Sequence, residues 1–416
     1  MFSLFKKNQN TRVYLDHAGA TPLSTLSWST LLESLSVYGN PSGIHKEGVE
    51  AGVLLDKARA LSAKVLNAHA YELYFVSSGT ESCNLAVLGT YYGSAANSSN
   101  LPHMIISSIE HPSVLEPVKN LEREGKVRVT YLPVGTDGIV KVNDIRAAVC
   151  EETILVSVMY ANNEIGTLQP VKEIGRMLEE WKKEHNRTHT GYPYFHIDAC
   201  QAANYCNLDV VRLRTHLMTI NSSKVYGPKG IALLYKREGI HLEPVTHGGG
   251  QERELRSGTE AVPQAYAFAV ALIEAQEMKD VESVRLRVIR DYCKEEITRT
   301  IPDIVFYGAW DEYSATPNKE RRTKNEFRLP NNINCRVPGI SSEEMILRLD
   351  AQGFAISHKS ACASQETSGS YVIMALGAKE TEAKENLRIT FGRSTTKEAI
   401  TKLVQAMKTI RDTYAK

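Results

Sequence analysis

The sequence lacks the features by which membrane-spanning, secreted and nucleic-acid-binding proteins are usually recognised. No apolar run approaches the roughly 20 residues that cross a bilayer, and the start, Met1-Phe-Ser-Leu-Phe-Lys-Lys-Asn8, has neither the apolar core nor the cleavage site of a signal peptide. The 49 lysines and arginines balance 48 aspartates and glutamates, so the net charge is only +1. We therefore expect a cytoplasmic location, with no membrane and no direct nucleic acid among the partners.

Disulfide and metal-binding patterns are also missing. The seven cysteines are an odd number without Cys-x-x-Cys spacing, so we expect reduced thiols and neither a disulfide framework nor a metal site. Cys362 lies in the polar segment His358–Ser370, where His358 and Lys359 favour a thiolate, so this thiol is expected to be exposed and reactive. The other six are expected to pack as small hydrophobic residues: Cys83, Cys150, Cys200, Cys206, Cys293 and Cys335.

The composition is typical of globular proteins, with 42% hydrophobic and 23% charged residues. The length of 416 residues is enough for two or more domains. Strand-like apolar runs occur at Leu73–Ser77, Met104–Ser107, Val127–Leu132, Ile154–Tyr160, Tyr194–Asp198, Leu217–Asn221 and Ile231–Tyr235. Helical spacing occurs at Glu50–Asn67, Thr80–Tyr92, His111–Glu124 and Val171–Glu184. This alternation predicts an α/β fold with a large, mostly parallel seven-stranded sheet and helices on both faces.

The pattern changes after about residue 260. The elements predicted there are the helices Ala261–Met278, Val281–Thr298, Ser341–Leu349 and Lys397–Tyr414, the strands Asn332–Arg336 and Phe354–Ser357, and a surface loop at Asp311–Asn325. We expect a large domain of residues 24–275 and a smaller α/β domain of residues 1–23 and 276–416, which carries Cys362.

Lys224 lies in a polar bend between two strand-like runs, Leu217–Ile220 and Ile231–Tyr235. Ligands of parallel sheets bind at the carboxyl ends of the strands. A lysine amine held partly out of water at such a place can act as a nucleophile and form a Schiff base. A lone lysine is more often a solvated loop residue, so the residues around it must decide between the two interpretations.

Two other strand ends carry polar groups. Gly79 and Thr80 begin a helix after the first strand, where backbone N–H groups and the Thr80 hydroxyl suit a phosphate, although an ordinary helix cap is the alternative. Asp198 ends an apolar run, and its carboxylate can either hold a pyridinium nitrogen protonated or serve as a structural cap. Gln201, three residues further on, is within reach of an oxygen on the same ring.

Three further residues have both a chemical and a structural interpretation. Asn163 follows a buried strand and can donate a hydrogen bond to a ring hydroxyl or form a turn. His111 begins a helix and can stack on a planar ring or shuttle protons, although a lone histidine is more often structural. Arg388 lies on a short alternating strand and can clamp a substrate carboxylate or form a surface salt bridge.

In this order and spacing, the segments resemble the NifS/IscS-like cysteine desulfurases, which belong to the class V aminotransferase family of fold-type I pyridoxal-phosphate enzymes. The resemblance extends from Tyr14-Leu-Asp16 to Gly392-Arg-Ser-Thr-Thr396. The motifs that carry it are Gly39-Asn-Pro-Ser42, Ser82-x-Asn84-Leu-Ala, Glu110-His111, Asn162-Asn-Glu-Ile-Gly166, His196-x-Asp198-x-x-Gln201, Lys224-x-Tyr-Gly-Pro-Lys-Gly230, His247-Gly-Gly-Gly-Gln-Glu-Arg253, Arg256-Ser-Gly-Thr259 and Ser360-Ala-Cys362.

The resemblance implies pyridoxal 5'-phosphate as the cofactor, held covalently by Lys224 in the large domain. Thr259 would reach the phosphate of the neighbouring subunit's cofactor, which implies a homodimer. Within one chain, the phosphate would be surrounded by Gly79, Thr80, Ser223 and the backbone of Asn221 and Ser222.

The resemblance also implies roles around the ring and the substrate. Asp198 would pair with the pyridine nitrogen, Gln201 and Asn163 would face the ring oxygen, and His111 would stack on the ring and take part in catalysis. The substrate would be L-cysteine, with its carboxylate bound by Arg388 and Asn163.

Lys224 would then remove the α-proton, and Cys362 would take the sulfur as a persulfide, leaving L-alanine. The persulfide would pass to an acceptor protein, either an iron–sulfur cluster scaffold or a tRNA-thiolation enzyme.

The sequence departs from the family pattern in two places. The family usually has Ser-Gly-His before the lysine, where this chain has Asn221-Ser222-Ser223, and His358-Lys359 replaces Ser-Gly before the reactive cysteine. Other reactions on the same scaffold stay open, among them selenocysteine lysis, another β-elimination and transamination. A non-catalytic scaffold of the same fold that only binds a partner is the alternative from another class.

Overall fold

The computed structural model describes residues 12–95, 100–310, 327–359 and 369–414. Cys362 and the loop expected at Asp311–Asn325 lie outside these residues. The strands are β1 (Val13–Tyr14), β2 (Leu73–Val76), β3 (His103–Ser107), β4 (Arg128–Leu132), β5 (Thr153–Ser157), β6 (Tyr194–Asp198), β7 (Leu217–Asn221), β8 (Ala232–Lys236), β9 (Val305–Phe306), β10 (Asn332–Arg336), β11 (Phe354–Ala355) and β12 (Asn386–Thr390).

The α-helices of the described residues vary widely in length. They are α1 (Thr25–Ser34), α2 (Lys46–Leu66), α3 (Gly79–Ala95), α4 (Pro112–Arg123), α5 (Val142–Ala148), α6 (Val171–Glu184), α7 (Val210–Leu213), α8 (Val262–Thr300), α9 (Ser342–Ala351), α10 (Tyr371–Ala375), α11 (Glu380–Ala383) and α12 (Lys397–Tyr414). Short 3-10 helices lie at Ala70–Glu72, Ser222–Lys224 and Gln251–Glu254. None of the helices in this part of the chain combines the length and the apolar character needed to cross a membrane.

The large sheet has seven strands in the order β2-β8-β7-β6-β5-β3-β4. Only β8 runs antiparallel to its neighbours, so the other six strands share one direction. Every residue of β3, β5 and β6 is buried, because helices cover both faces of the sheet. The predicted mostly parallel seven-stranded sheet is therefore confirmed, and β6 and β7 have the predicted bounds.

Helix α8 corrects the sequence-based prediction of two helices at Ala261–Met278 and Val281–Thr298. It is one continuous helix of 39 residues, and the sequence between Pro263 and Thr300 contains no glycine or further proline to interrupt it. Its first half packs in the hydrophobic core of the large sheet, while its second half packs in a separate core. The change of packing partner, rather than a break in the backbone, produces the change in the apolar pattern.

Two smaller sheets lie in that second region. β10 pairs antiparallel with β9 and β12, and β1 pairs in parallel with β11. Their core includes Leu15, Ile333 and Ile389, together with residues of α8, α9 and α12. The expected domain division between residues 275 and 276 falls inside α8 and stays a prediction.

Candidate active site

A cavity of about 160 Å³ lies at the carboxyl ends of the parallel strands of the large sheet. The lining residues that the large sheet contributes lie at or just after the ends of β2, β3, β5, β6 and β7, as expected for a ligand site in an α/β fold. The lining residues are Ala18, Gly19, Gly79, Thr80, His111, Ser113, Met159, Ala161, Asn163, Asp198, Cys200, Gln201, Asn221, Lys224 and Arg388.

Most of the predicted site residues meet at this cavity. Ser223 adjoins the wall without lining it, Thr259 is exposed and does not line it, and Cys362 lies outside the described residues. The predicted residues that line the cavity are Gly79, Thr80, His111, Asn163, Asp198, Gln201, Asn221, Lys224 and Arg388. Their individual roles remain predictions at this point.

Lys224 ends the short 3-10 helix that follows β7, which places its side chain at the mouth of the sheet edge. The Lys224 Nζ donates to the carbonyl oxygen of Ala18, at 2.8 Å, and also to that of Gly19. Gln201 Nε2 donates to the same Ala18 oxygen at 2.9 Å. The backbone after β1 thus forms a wall of the cavity and holds the lysine amine in position.

Asp198 is the last residue of β6 and is buried. Its Oδ1 accepts from the backbone N–H of Cys200 at 3.0 Å, and the Cys83 thiol lies 3.9 Å from its Oδ2. Burial, together with the charge of Asp198, raises the pKa of Cys200 well above its usual value. The Cys200 thiol therefore stays neutral beside the Asp198 carboxylate.

His111 caps the start of α4, where its Nδ1 accepts from the backbone N–H of Ser113 at 3.1 Å. Burial lowers the pKa of His111; the Asp198 carboxylate opposes this effect, while the positive charges of Lys224 and Arg388 add to it. The imidazole is therefore largely neutral near pH 7, a state in which its ring suits stacking against a planar ligand.

Arg388 lies on β12 and reaches the cavity from the second core, with its side chain only 1% exposed. Its Nη2 donates to Asp16 Oδ1 at 2.8 Å, and its Nη1 donates to the backbone oxygen of Asn163 at 3.2 Å. Among the described residues, the buried Asn163 Oδ1 and Arg388 Nε have no hydrogen-bond partner. Buried polar atoms without a partner are costly, so their presence beside a cavity indicates a polar ligand.

Some residues of the site could not be predicted from the sequence. Asp16, Ala18 and Gly19 come from a turn about 200 residues before Lys224, and two of them contribute only backbone carbonyls. Cys200, expected to pack as a core hydrophobic residue, lines the cavity instead.

The cysteines outside the cavity divide into two groups. Cys83, Cys293 and Cys335 are fully buried, as predicted. Cys206 is partly exposed but packs against the hydrophobic core of the large sheet, as predicted. Cys150 is also partly exposed, and its Sγ lies 3.2 Å from Arg128 Nη2, so the prediction of apolar packing is wrong for this residue.

Residues 13–403 match the family model of the class-V aminotransferases, and the chain belongs to that family. Its relatives include "Cysteine desulfurase IscS" of Dictyoglomus turgidum, 37% identical over 387 residues that cover 93% of this chain and 91% of the relative. "Cysteine desulfurase IscS 1" of Archaeoglobus fulgidus is 35% identical, with 95% of each chain covered.

Solved structures agree with this family. A "NifS-like protein" superposes with a TM-score of 0.84 at 28% identity, covering 97% of this chain and all 100% of that one. A structure named "SspA in complex with cysteine" has a TM-score of 0.73 at 29% identity, with coverages of 92% and 99%. The predicted fold and family resemblance are confirmed, and membership implies a pyridoxal-phosphate enzyme in general.

The cavity fits a phosphorylated, planar cofactor of this kind. A Cβ at Gly79 would come within 3.2 Å of Cys200 Sγ and 3.3 Å of Asn221 Nδ2, so a side chain there would press against both residues at the first turn of α3. The N–H groups of a first helical turn have no acceptor within the helix, which suits an anion. The Asn163 Oδ1 that lacks a protein partner adds a further polar group to the lining of the cavity.

Proposed function

We propose that this chain is a cysteine desulfurase that uses pyridoxal 5'-phosphate to remove sulfur from L-cysteine, leaving L-alanine and a persulfide on Cys362. The observation that carries the proposal is the meeting of Lys224, Asp198, His111 and Arg388 at one cavity. Relatives named cysteine desulfurases, which are 35–37% identical over most of this chain, support this reaction over others on the same scaffold.

The residues that would hold the cofactor line the cavity. Gly79, Thr80 and Asn221 would contact the phosphate, Asp198 the pyridine nitrogen, and His111 the face of the ring. When bound, the cofactor supplies an electron sink for the negative charge that develops on the substrate α-carbon. Lys224 would hold the cofactor through its Nζ, which the Ala18 and Gly19 carbonyls already direct into the cavity.

The chain's own residues bind the substrate and move its proton and its sulfur. Arg388 and Asn163 bind the carboxylate of cysteine, which fixes the α-hydrogen toward Lys224. Once the substrate amine has displaced it from the cofactor, the freed Lys224 amine removes that proton, since an amine held beside the reacting carbon is a suitable base. The Cys362 thiolate attacks the substrate sulfur; the C–S bond breaks, its electron pair goes to the β-carbon, and protonation there gives alanine.

The proposal extends to the partners and the location. The persulfide sulfur would pass to an acceptor protein, either an iron–sulfur scaffold or a tRNA-thiolation enzyme. The exposed Thr259 would contact the cofactor of a second copy in a homodimer. The cytoplasmic location stays a prediction.

The test is to measure sulfide and alanine released from L-cysteine by the purified, cofactor-loaded protein in the presence of a thiol reductant. We expect equal amounts of both products, their loss in Lys224→Ala, and their loss in Cys362→Ala. Lys229→Ala, which removes an exposed lysine five residues further on, and Cys150→Ala should retain activity. Sulfide release that survives Cys362→Ala would eliminate the persulfide step, and activity in Lys224→Ala would contradict the whole assignment.

A further inference from the structure

The residues before Lys224 are Asn221-Ser222-Ser223, where the family pattern has Ser-Gly-His. We propose that the side-chain amide of Asn221 donates a hydrogen bond to the cofactor phosphate through Nδ2, and that Ser223 positions Asn221 instead of contacting the phosphate. This inference rests on the proposed function, because it concerns the phosphate of the same cofactor.

The hydrogen bonds of Asn221 fix which end of its side chain is the oxygen. Oδ1 accepts from the backbone N–H of Ser223 at 3.1 Å and from the Ser223 hydroxyl at 3.2 Å. A backbone N–H can only donate, so the atom facing it must be the carbonyl oxygen. The Nδ2 end, with its two hydrogens, is therefore directed away from Ser223.

Nδ2 lies beside the start of α3, where the phosphate is expected to bind. Asn221 lines the cavity, and its Nδ2 lies 3.3 Å from the point where a side chain on Gly79 would begin. Gly79 is the first residue of α3, whose first-turn N–H groups and positive dipole end attract an anion. Within the described part of the chain, Nδ2 donates to no acceptor, so its hydrogens are available to a ligand.

The contacts of Ser223 orient its hydroxyl group toward Asn221. Its carbonyl oxygen accepts from the Thr21 N–H at 2.9 Å and from the Thr21 hydroxyl at 3.0 Å, which fixes the backbone of the turn. Its hydroxyl donates to Asn221 Oδ1, and the residue does not line the cavity. Ser223, which occupies the position of the family's histidine, therefore affects the cofactor only through Asn221.

The experiment measures the affinity of the cofactor-free protein for pyridoxal 5'-phosphate and, separately, for pyridoxal, which lacks the phosphate. Fluorescence or absorbance titration gives both dissociation constants without any measurement of turnover. The ratio of the two constants reports the phosphate contact alone, since a general defect in folding or in the ring site weakens both ligands equally.

Asn221→Asp is the decisive variant. Aspartate has the same shape and caps the short helix as well as asparagine, but it places a negative oxygen where Nδ2 faces the phosphate. We expect about a tenfold or greater loss of pyridoxal 5'-phosphate affinity, as for a hydrogen bond to a charged group, with pyridoxal binding nearly unchanged. Asn221→Ala should lose less than Asn221→Asp, because it removes the donor without adding repulsion.

Ser223→Ala tests the positioning role. We expect a smaller loss than in Asn221→Ala, and no additional loss when the two changes are combined, because Ser223 acts through Asn221. Additive losses would mean that Ser223 contacts the phosphate itself and would overturn its assignment.

If Asn221→Asp keeps the wild-type ratio of the two dissociation constants, the phosphate contact of Asn221 is overturned, while the proposed removal of sulfur from L-cysteine stands. Failure of the wild-type protein to bind pyridoxal 5'-phosphate would overturn both.

Discussion

Arg388 is the clearest case of a single residue whose charge must be balanced inside the protein. Its side chain is 1% exposed, and Asp16, 22% exposed, accepts from its Nη2 at 2.8 Å. A buried cation that loses its carboxylate is strongly destabilising. Asp16 therefore keeps the guanidinium in place while leaving Arg388 Nε without a protein partner beside the cavity.

Replacing Asp16 by asparagine should separate these two effects. The isosteric amide can still accept a hydrogen bond from Arg388 but no longer neutralises its charge. We expect the free energy of unfolding to fall by about 1–3 kcal/mol, and the KM for L-cysteine to fall several-fold because its carboxylate no longer competes with Asp16. Denaturant unfolding and steady-state kinetics measure the two quantities.

Asp16→Ala is the matched control for this prediction. It removes the hydrogen bond as well as the charge, so Arg388 loses its orientation and the KM should rise. A KM that rises in Asp16→Asn as well would contradict the view that Asp16 competes with the substrate.

The sequence could indicate those site residues that follow a strand. Asp198 ends a continuous apolar run and Lys224 follows another, so the apolar pattern alone assigns both residues to the same sheet edge. Ala18 and Gly19 could not be assigned, because their contribution is a backbone carbonyl that any residue carries. Neither could the orientation of Asn221, which depends on the turn geometry at Ser223.

Among the elements, the strands could be predicted closely and α8 could not. Fully buried strands appear in the sequence as uninterrupted apolar runs bounded by polar residues, which fixes their limits within a few positions. In α8 the first half is buried on several sides, at Ala267, Phe268 and Ala269, while the second half buries a single stripe that includes Leu286 and Ile289. One helix therefore carries two different apolar patterns, and such a change of pattern is also typical of two separate helices.

The continuity of α8 matters because it joins the two sides of the site. In its first half, Gln276 Nε2 donates to the backbone oxygens of Ala203, at 2.7 Å, and Cys206, at 3.0 Å, in the segment that follows β6 and Asp198. In its second half, Arg285 donates to the Gly392 oxygen at 2.9 Å, just beyond β12 and Arg388. A rigid helix between these anchors sets the separation of the two walls.

Interrupting α8 between the anchors should damage both stability and catalysis. Val281 is 73% exposed and lies between Gln276 and Arg285, so Val281→Pro breaks the helix without emptying a core. We expect the free energy of unfolding to fall by about 3 kcal/mol and kcat/KM for L-cysteine to fall, because Arg388 shifts relative to Lys224. Circular dichroism melts and steady-state kinetics are the measurements.

Val281→Ala is the control, since it removes the same exposed side chain and keeps the helix. It should leave kcat/KM unchanged. Equal kcat/KM values in the proline and alanine variants would show that the helix does not set the geometry of the site.

Considered as a whole, the molecule buries several histidines that are neutral in the folded state. His17, His103 and His196 are at most 4% exposed, and burial is the main cause that lowers the pKa of each to about 4. His103 lies 2.9 Å from the hydroxyls of Thr153 and Thr130. His196 bridges Ser157 and Thr219 directly beneath Asp198.

These histidines predict a loss of stability in mild acid. In the unfolded chain each has a pKa of about 6.5, so between pH 6.5 and pH 4 the unfolded state binds more protons than the folded state. Stability therefore rises with pH across this window, is fully present above about pH 6.5, and is lost progressively as the pH falls toward 4. Carboxylates also titrate here: those with a lowered pKa add to the loss at the acid end, whereas Glu110, whose pKa burial raises to about 8, acts in the opposite direction. The wild-type slope alone therefore does not isolate the histidines.

His196→Gln isolates one of them. Glutamine removes the titrating group from the bridge between Ser157 and Thr219, at some cost in stability at every pH because the hydrogen bonds are less well placed. The informative quantity is the slope of the unfolding free energy against pH, measured by urea denaturation between pH 4 and pH 8. We expect this slope, between pH 4 and pH 6.5, to be smaller than in the wild type by the equivalent of about one bound proton. Parallel curves for the two proteins would mean that His196 is not kept neutral by burial, and that the polar network beneath Asp198 takes up a proton in the folded state.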